Sequence, residues 1–275
     1  MESKRLLLDV GGTFIKCSDG RTVPIDSAGD REGIAGALQE AVGETRPSIV
    51  AVAIPGPFDY DAGIFRMEHK FAAVYGERFR TLAGLPEDIP VRYIHDVNCM
   101  LLGALRLPEV KPFRKVALTT LGTGLGFAFA LDGHLQCSPD GSPARNLWNR
   151  PYLDGIAEDY ASKRGVLRAY SEVSGLPLPE GATVKSLAMK AYAGYDIARG
   201  TFLRVGAHLG AAIAPLLRET GIECLLVGGQ IAKSFSLMEP SLRESLASVP
   251  GLQKIQALPN LDSATFDGLE TLCDR

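Results

Sequence analysis

The sequence predicts an α/β protein made of two related halves. Short apolar runs, typical of buried strands, alternate with longer segments that have helical periodicity. A second observation is an internal repeat: the order strand, glycine turn, strand, Asp-Gly, strand begins at Arg5 and again at Lys115. A repeat this long is not that of a solenoid. It indicates two α/β units, each built on a hairpin.

Composition narrows the functional class. The 275 residues are 46% hydrophobic and 22% charged, values ordinary for a globular protein. The net charge of −3 gives no global basic field for nucleic acid or an anionic membrane. The longest apolar runs, Val50–Pro57 and Ile222–Val227, fall far short of the roughly 20 residues that span a membrane. Met1–Arg5 leads directly into a strand and contains no signal-peptide core. We therefore expect a cytoplasmic protein without nucleic-acid or membrane partners.

Cysteine usage also favours a cytoplasmic protein. The five cysteines are odd in number, widely spaced and contain no C-x-x-C pair. Neither a disulfide framework nor a zinc site is indicated.

The first half reads as a hairpin followed by alternating helices and strands. Asp19-Gly20 is a hairpin signal, because both residues of such a turn take positive φ. Asp30 can cap a helix, and Pro108 ends another. The predicted elements are strands at Arg5–Val10, Phe14–Ser18, Thr22–Ile25, Ser48–Ile54 and Val91–Ile94, and helices after Asp30 and over Asp96–Leu107.

The second half repeats the hairpin and adds a long helix that Gly221 ends. We predict strands at Lys115–Leu121, Leu125–Leu131, His134–Cys137 and Ile222–Val227, and helices at Asp154–Tyr170, Asp196–Thr220 and Ser263–Cys273. The domains are then 1–114 and 115–262, and we expect the C-terminal helix at 263–275 to complete the first.

The turn after the first strand could bind phosphate. Gly11 and Gly12 let backbone N–H groups approach an anion closely, and Thr13 adds a hydroxyl. Asp9 at the strand end could hold Mg²⁺ directly or through water, and Lys16 could reach a phosphate. The alternative is a tight hairpin turn without a ligand.

Two later glycine segments allow the same two interpretations. Gly122, Thr123 and Gly124 form the equivalent turn of the second half. A strand follows this turn, so it does not fit a dinucleotide fingerprint, which opens a helix. Gly228 and Gly229 end a buried strand, where they could approach adenine or ribose or could simply form a strand-to-helix turn.

An acid, an imidazole and an amide lie between a strand and a helix at His95, Asp96 and Asn98. Asp96 is placed to accept a proton from a hydroxyl nucleophile, as an aspartate does in other phosphoryl-transfer sites. Its alternative role is a helix N-cap.

The ordered set of motifs resembles the ROK family (repressors, uncharacterised reading frames and kinases) of actin-like sugar kinases. The segment 9–13 with Lys16 is similar to the first phosphate motif, 121–126 to the second, and 228–229 to the adenosine motif. The segments 51–59 and 95–104 resemble G-V-G-x-P-G-P-V-D and N-D-A-N-x-x-x-x-G-E of that family. The resemblance covers nearly the whole chain.

This resemblance implies a two-domain actin-like (ribonuclease H-like) fold with a cleft between the domains. It also implies a kinase that transfers phosphate from ATP with Mg²⁺ to a sugar, with Asp96 as the base. The substrate-binding residues it implies are Gly56, His95, Asn98, Asn149 and Glu158. A repressor of the family carries a DNA-binding segment ahead of the first phosphate motif, and we expect none here. Dimers are common in the family, and a homodimer stays open.

The sequence departs from the family in its zinc segment. The family motif G-E-x-G-H followed by C-x-C-G-x-x-G-C-L-E is absent, and residues 142–150 contain neither histidine nor cysteine. We therefore predict no zinc. Two alternatives to an ATP-dependent sugar kinase remain: a sensor that binds sugar or nucleotide without turnover, and a kinase that uses polyphosphate.

Overall fold

A computed structural model describes residues 5–44, 46–261 and 263–274. The chain forms two compact units. Unit 1 contains the chain up to Pro108, the segment Leu135–Ala144 and the stretch after Leu261, whereas unit 2 contains Glu109–His134 and Arg145–Leu261. The division at residue 115 stays a prediction, and it did not anticipate that Leu135–Ala144 packs with unit 1. Met1–Lys4 and Arg275, the ends of two predicted segments, lie outside the described residues.

The elements follow in chain order. The strands are β1 (Arg5–Val10), β2 (Phe14–Cys17), β3 (Thr22–Pro24), β4 (Ile49–Ile54), β5 (Phe58–Asp59), β6 (Ile64–Phe65), β7 (Val91–His95), β8 (Lys115–Leu121), β9 (Leu125–Leu131), β10 (His134–Leu135), β11 (Pro151–Tyr152), β12 (Gly155–Ile156), β13 (Cys224–Gly228) and β14 (Lys254–Ala257). The α-helices are α1 (Arg31–Val42), α2 (Phe79–Leu82), α3 (Asp96–Ala104), α4 (Ala157–Tyr160), α5 (Lys163–Ser174), α6 (Val184–Tyr192), α7 (Asp196–Thr220), α8 (Phe235–Leu246) and α9 (Ala264–Cys273). Short 3₁₀ helices cover Ala72–Val74 and Gln230–Ser234.

The two units contain five-stranded sheets of the same topology. The strand order is β3-β2-β1-β4-β7 in unit 1 and β10-β9-β8-β13-β14 in unit 2. In both, the central strand pairs antiparallel with the next strand in sequence and parallel with a later one, which pairs parallel with the edge strand. The predicted α/β class and the predicted internal repeat are therefore confirmed.

Side-chain alternation along β1 explains why unit 1 has a layer on each face of its sheet. Leu6 and Leu8 lie in the cluster that includes Ile34 and Leu38 of α1. Leu7 faces the opposite side, where it packs with Leu102 of α3 and Leu269 of α9. Successive residues of a strand point to opposite faces, so one apolar run supplies both cores.

Helices α3 and α9 approach each other at two glycines. A Cβ on Gly103 would lie 2.5 Å from the carbonyl oxygen of Ala264, and a Cβ on Gly268 would lie 2.0 Å from that of Cys99. The thiol of Cys99 also bonds the Thr265 carbonyl at 3.1 Å. This backbone contact fixes the helix that begins at Asp96.

The two predicted Asp-Gly turns differ. Asp132 and Gly133 have φ of 50° and 79°, as predicted for a tight hairpin. In the first hairpin only Gly20 is in that region, with φ of 89°. The Asp19 carboxylate accepts instead from the Arg21 N–H at 3.1 Å.

The predicted helix Asp154–Tyr170 is wrong. The structure has β12 at the start of this segment, then α4, and then α5 from Lys163. The Asp159 carboxylate accepts from the Ile156 N–H at 2.9 Å and so begins a new turn there. A Cβ on Gly165 would lie 2.3 Å from the Tyr160 carbonyl carbon, so the glycine lets α5 fold back onto α4. Local periodicity cannot show such a reversal.

The long helix α7 matches its predicted bounds, and Gly221 ends it with φ of 64°. Of the helices in the described ranges, it alone is long and apolar enough to cross a membrane by length and composition. Within its most apolar window 67% is buried inside the protein. That burial is typical of a core helix.

Candidate functional site

Unit 1 places Asp9 beside the first glycine turn. The Lys16 ammonium lies 3.6 Å from Asp9 Oδ2, because the two residues are paired across β1 and β2. The Gly11 N–H closes the turn on the Phe14 carbonyl at 2.9 Å. Within the described part of the chain, the N–H groups of Gly12 and Thr13 make no hydrogen bond. This turn therefore offers two free donors, as phosphate binding requires.

Asp96 is the first residue of α3, directly after β7. Its Oδ1 lies 2.8 Å from His95 Nδ1 and accepts from the Val97 N–H at 2.6 Å. Among the described residues Oδ2 has no hydrogen-bond partner, and 46% of the side chain is exposed. The neighbours thus orient one oxygen and leave the other available to a ligand.

Asp9 and Asp96, the two candidate site carboxylates of unit 1, have pKa values shifted in opposite directions. Burial raises the pKa of Asp9; the charge of Asp96 adds to the rise and that of Lys16 opposes it. Burial also acts to raise the pKa of Asp96, but the charge and hydrogen bond of His95, the Val97 N–H and the charge of Lys70 outweigh it, so this pKa lies below its usual value. Asp96 is therefore ionised at neutral pH and can accept a proton.

Gly56 borders His95 and Tyr60. A Cβ at Gly56 would lie 3.2 Å from the Tyr60 hydroxyl and 3.6 Å from His95 Nε2. The Tyr60 hydroxyl donates to the Ile54 carbonyl at 3.0 Å, and burial raises the pKa of this phenol. Sequence reasoning missed Tyr60, and only its position after Pro57 could have suggested it.

Asn98 is fully buried. Its amide nitrogen bonds the carbonyl of Gly141 at 3.3 Å and the sulfur of Cys137 at 3.4 Å, so Asn98 anchors the segment 135–144 in unit 1. Its Oδ1 has no partner in the described structure. A buried amide oxygen without a partner costs folding free energy, so a hydrogen-bond donor from a ligand would stabilise it.

In unit 2 the turn Gly122–Gly124 is closed by the Gly122 N–H on the Gly124 carbonyl at 3.0 Å. Glu158 contacts this turn: its Oε2 accepts from the Leu125 N–H at 3.0 Å, and a Cβ on Gly124 would lie 2.9 Å from the same oxygen. In the described structure Thr123 and Gly124 keep free N–H groups.

Arg164 is a site neighbour that sequence reasoning missed. Its guanidinium contacts Glu158 Oε1 and Asp159 Oδ1, each at 2.9 Å. The positive charge of Arg164 offsets the negative charge of Glu158 beside the Gly122–Gly124 turn. No sequence motif marks Arg164, because it reaches its partners in α4 only through the chain reversal between α4 and α5, which periodicity does not show.

Gly229 has a conformation that only glycine adopts readily. Its φ is 82°, and a Cβ there would lie 2.3 Å from the Leu121 carbonyl oxygen. The end of β13 therefore packs directly on the end of β8. Gly228 is the last residue of β13 and is buried.

The remaining predicted residue, Asn149, is exposed, as is Asn146, whose carbonyl accepts from Arg150 Nε at 3.3 Å.

The described residues contain no group of three or more His, Cys, Asp or Glu that could hold a metal. Residues 142–150 contain neither histidine nor cysteine, so this segment does not supply the donors of the family's zinc motif, and the absence of zinc stays a prediction. A magnesium ion needs fewer protein ligands, since phosphates and waters supply most of its shell. Asp9 fits that requirement.

Two α/β units of one sheet topology give the chain an actin-like (ribonuclease H-like) fold. Residues 28–144 match the family model described as ROK family, and this match together with the fold confirms the ROK resemblance.

Relatives include both kinases and a repressor. The chain is 24% identical to a glucokinase of Thermotoga maritima over 86% of its own length and 81% of that protein. It is also 24% identical to the DNA-binding transcriptional repressor Mlc of Escherichia coli over 78% of its own length, but spans only 54% of that repressor. Among solved structures, a ROK family glucokinase from Streptomyces griseus in complex with glucose and AMPPNP has a TM-score of 0.79 at 21% identity, covering 97% of this chain and 98% of that one.

Proposed function

We propose that the protein is an ATP-dependent kinase that phosphorylates a hydroxyl of a hexose or hexose derivative. The observation that carries this proposal is Asp96: it is ionised, it is oriented through Oδ1 by His95 and Val97, and its Oδ2 is free. Similarity to glucokinases supports the sugar acceptor. The neighbour solved with glucose and AMPPNP supports ATP as the donor.

Asp96 would accept the proton of the sugar hydroxyl while that oxygen attacks the terminal phosphorus of ATP. A carboxylate with a lowered pKa is a weak base, and phosphoryl transfer tolerates this because positioning and electrostatic stabilisation contribute most of the rate. Within unit 1, Gly56, His95 and Asn98 would bind the sugar. The family resemblance implies the same role for Glu158 and Asn149 of unit 2. The unpaired Oδ1 of Asn98 suits a sugar hydroxyl as donor.

In unit 1 the turn Gly11–Thr13 would bind phosphate through its free N–H groups, with Lys16 as a cation. In unit 2 the turn Gly122–Gly124 would bind phosphate in the same way. Gly228 and Gly229 would approach the adenosine. Asp9 would hold Mg²⁺ directly or through water. When bound, the ion supplies positive charge that stabilises the transferring phosphoryl group.

A regulatory function is the second candidate, because the repressor Mlc also matches. Residues 142–150 and His95 depart from the kinase pattern, which favours a sensor that binds sugar without turnover. A third candidate keeps the reaction and exchanges ATP for polyphosphate.

The test is release of ADP with ATP and Mg²⁺ over a panel of hexoses, N-acetylhexosamines and sugar alcohols, with polyphosphate as a parallel donor. Asp96→Asn should lower turnover by roughly 10²–10⁴-fold, the usual contribution of a general base, with nucleotide binding kept. Asp132→Asn, an exposed carboxylate of unit 2, is the matched control. Near-normal turnover in Asp96→Asn would remove Asp96 as the base. Sugar binding by calorimetry without turnover of either donor would favour the sensor.

A further inference from the structure

Unit 2 contains a polar and aromatic cluster outside the candidate site described above. We call it the His208 cluster; its members are Tyr152, Asp154, Tyr160, Arg168, Glu172 and His208. They come from β11, the loop after it, α4, α5 and α7.

His208 is the centre of this cluster and is 8% exposed. Its Nδ1 lies 3.0 Å from the Tyr152 hydroxyl. The rings of Tyr152 and Tyr160 surround the imidazole, with centroids 5.7 Å and 4.9 Å away. The two tyrosine rings meet edge to face at 5.1 Å. Three rings from three elements therefore pack on one another.

Charged groups close the cluster on its outer side. The Arg168 guanidinium stacks 4.2 Å over the Tyr160 ring and bonds Asp154 at 3.0 Å and Glu172 at 2.9 Å. Glu172 also lies 3.7 Å from His208 Nε2. The Tyr160 hydroxyl donates to Asp154. Each polar group except Nε2 thus has a close partner.

The state of His208 follows from its surroundings. Burial lowers its pKa; the charge of Glu172 opposes this, and those of Arg204 and Arg168 add to it. A neutral imidazole can accept a hydrogen bond from the Tyr152 hydroxyl at Nδ1, which leaves the ring proton on Nε2, towards Glu172.

The cluster is connected to Glu158 through short backbone links. Tyr160 lies two residues after Glu158 in α4, and Tyr152 lies in the β11–β12 hairpin that leads into α4. The Ala157 N–H donates to the Arg150 carbonyl at 2.9 Å, and the Glu158 N–H donates to the Trp148 carbonyl at 3.1 Å. A hairpin of two-residue strands has little stability of its own, so packing must fix this segment.

We propose that His208 is a positioning residue: through Tyr152 and Tyr160 it holds the segment 147–162, and so holds the Glu158 carboxylate against the Gly122–Gly124 turn. The kinetic part of this inference rests on the proposed sugar kinase activity; the structural part does not.

The structural test is hydrogen–deuterium exchange of the full-length protein. His208→Phe keeps a ring but removes both nitrogens, and Tyr152→Phe removes only the hydroxyl. We expect exchange of residues 147–162 and of Leu125 to quicken about fivefold in both variants, the factor that one neutral hydrogen bond contributes. Exchange in the sheet of unit 1 should not change. His134→Gln, an exposed histidine of the same unit, is the matched control.

The kinetic test separates positioning from general destabilisation. In Tyr152→Phe the sugar KM should rise about fivefold while kcat changes less than twofold, and His208→Asn, which can still accept from Tyr152, should restore most of the loss seen in His208→Phe. Unchanged exchange of 147–162, or faster exchange spread evenly over unit 2, would overturn the proposal. Faster exchange there with an unchanged sugar KM would overturn the link to Glu158. If no acceptor is phosphorylated by the wild type, the proposed function fails. The exchange result still tests whether the His208 cluster holds the segment 147–162.

Discussion

The central hairpins of the two units follow the same path and carry different chemistry. In unit 1, Asp9 on β1 is paired with Lys16 on β2. The equivalent pair in unit 2 is Thr120 with Gly126. Both pairs flank a glycine turn with two free N–H groups. The backbone feature that suits phosphate is therefore kept in both units, whereas the charged pair occurs only in the first.

The edge strands differ in the same way. Asp96 follows β7 directly, while Leu258 follows β14 at the equivalent place. Unit 2 obtains its carboxylate from elsewhere, because Glu158 reaches the glycine turn from α4. A duplicated fold supplies equivalent strand ends, and individual substitutions decide which of them carry a proton acceptor or a cation.

Within this comparison, the largest expected effect comes from replacing the equivalent strand-end residues. Asp9→Asn should lower kcat/KM on the order of 100-fold and raise the Mg²⁺ concentration needed for half-maximal rate, because an amide is a poor magnesium ligand. Thr120→Val should change kcat/KM about threefold or less. Initial rates at several Mg²⁺ concentrations measure both. Equal losses in the two variants would mean that the hairpins are chemically equivalent.

A smaller expected effect is the difference in unfolding free energy between alanine substitutions at two glycines of unit 2. Gly229→Ala places a Cβ 2.3 Å from the Leu121 carbonyl oxygen at a φ of 82°, and should cost about 2–3 kcal/mol of unfolding free energy. Gly122→Ala meets no atom within 4 Å and serves as the control. Urea denaturation with an unchanged slope measures the difference. A stable Gly229→Ala would show that β8 and β13 can separate at little cost.

The Lys16–Asp9 pair should set the acid limb of the pH–rate profile. Lys16 lowers the pKa of Asp9 against the opposing effect of burial. In Lys16→Met that pKa rises further, so Asp9 is protonated at higher pH and the acid limb moves towards neutrality. Rates from pH 5 to 8 measure the shift. Lys233→Met, a lysine of unit 2, is the control, and an unmoved limb would separate Asp9 from catalysis.

The smallest expected effect is on stability: replacing Asp9 and replacing Asp96 should change the free energy of unfolding in opposite directions. The folded-state pKa of Asp96 is lowered, so its contribution to stability is present above the unfolded-state pKa and is lost as pH falls through the folded value. The folded-state pKa of Asp9 is raised, so its charged form costs stability at neutral pH, and this cost disappears as pH falls. At pH 7, Asp9→Asn should stabilise the protein slightly and Asp96→Asn should destabilise it. Chemical denaturation of both variants at pH 7 tests the signs, which would be the same if burial dominated at both positions.

Much of the fold could be predicted from local patterns. The strands of both hairpins, α1 with its Asp30 cap and α7 with its Gly221 end all lie where sequence signals place them, because apolar runs, caps and glycine stops act over a few residues. The break between α4 and α5 could not be predicted, since Asp159 and Gly165 act through contacts made only after the chain reverses. The candidate residues Asp9 and Asp96 were found because glycine turns and strand ends mark them. Tyr60, Arg164 and the His208 cluster carry no such mark.

The sequence by itself determined the α/β class, the repeat and the residues at the strand ends, because each depends on neighbours along the chain. The tertiary structure alone decided which charges meet. It raised the pKa of one aspartate and lowered that of the other, and it brought Glu158 to a turn more than thirty residues earlier in the chain. Such effects depend on burial and on distances of a few ångströms, which only the packed chain sets.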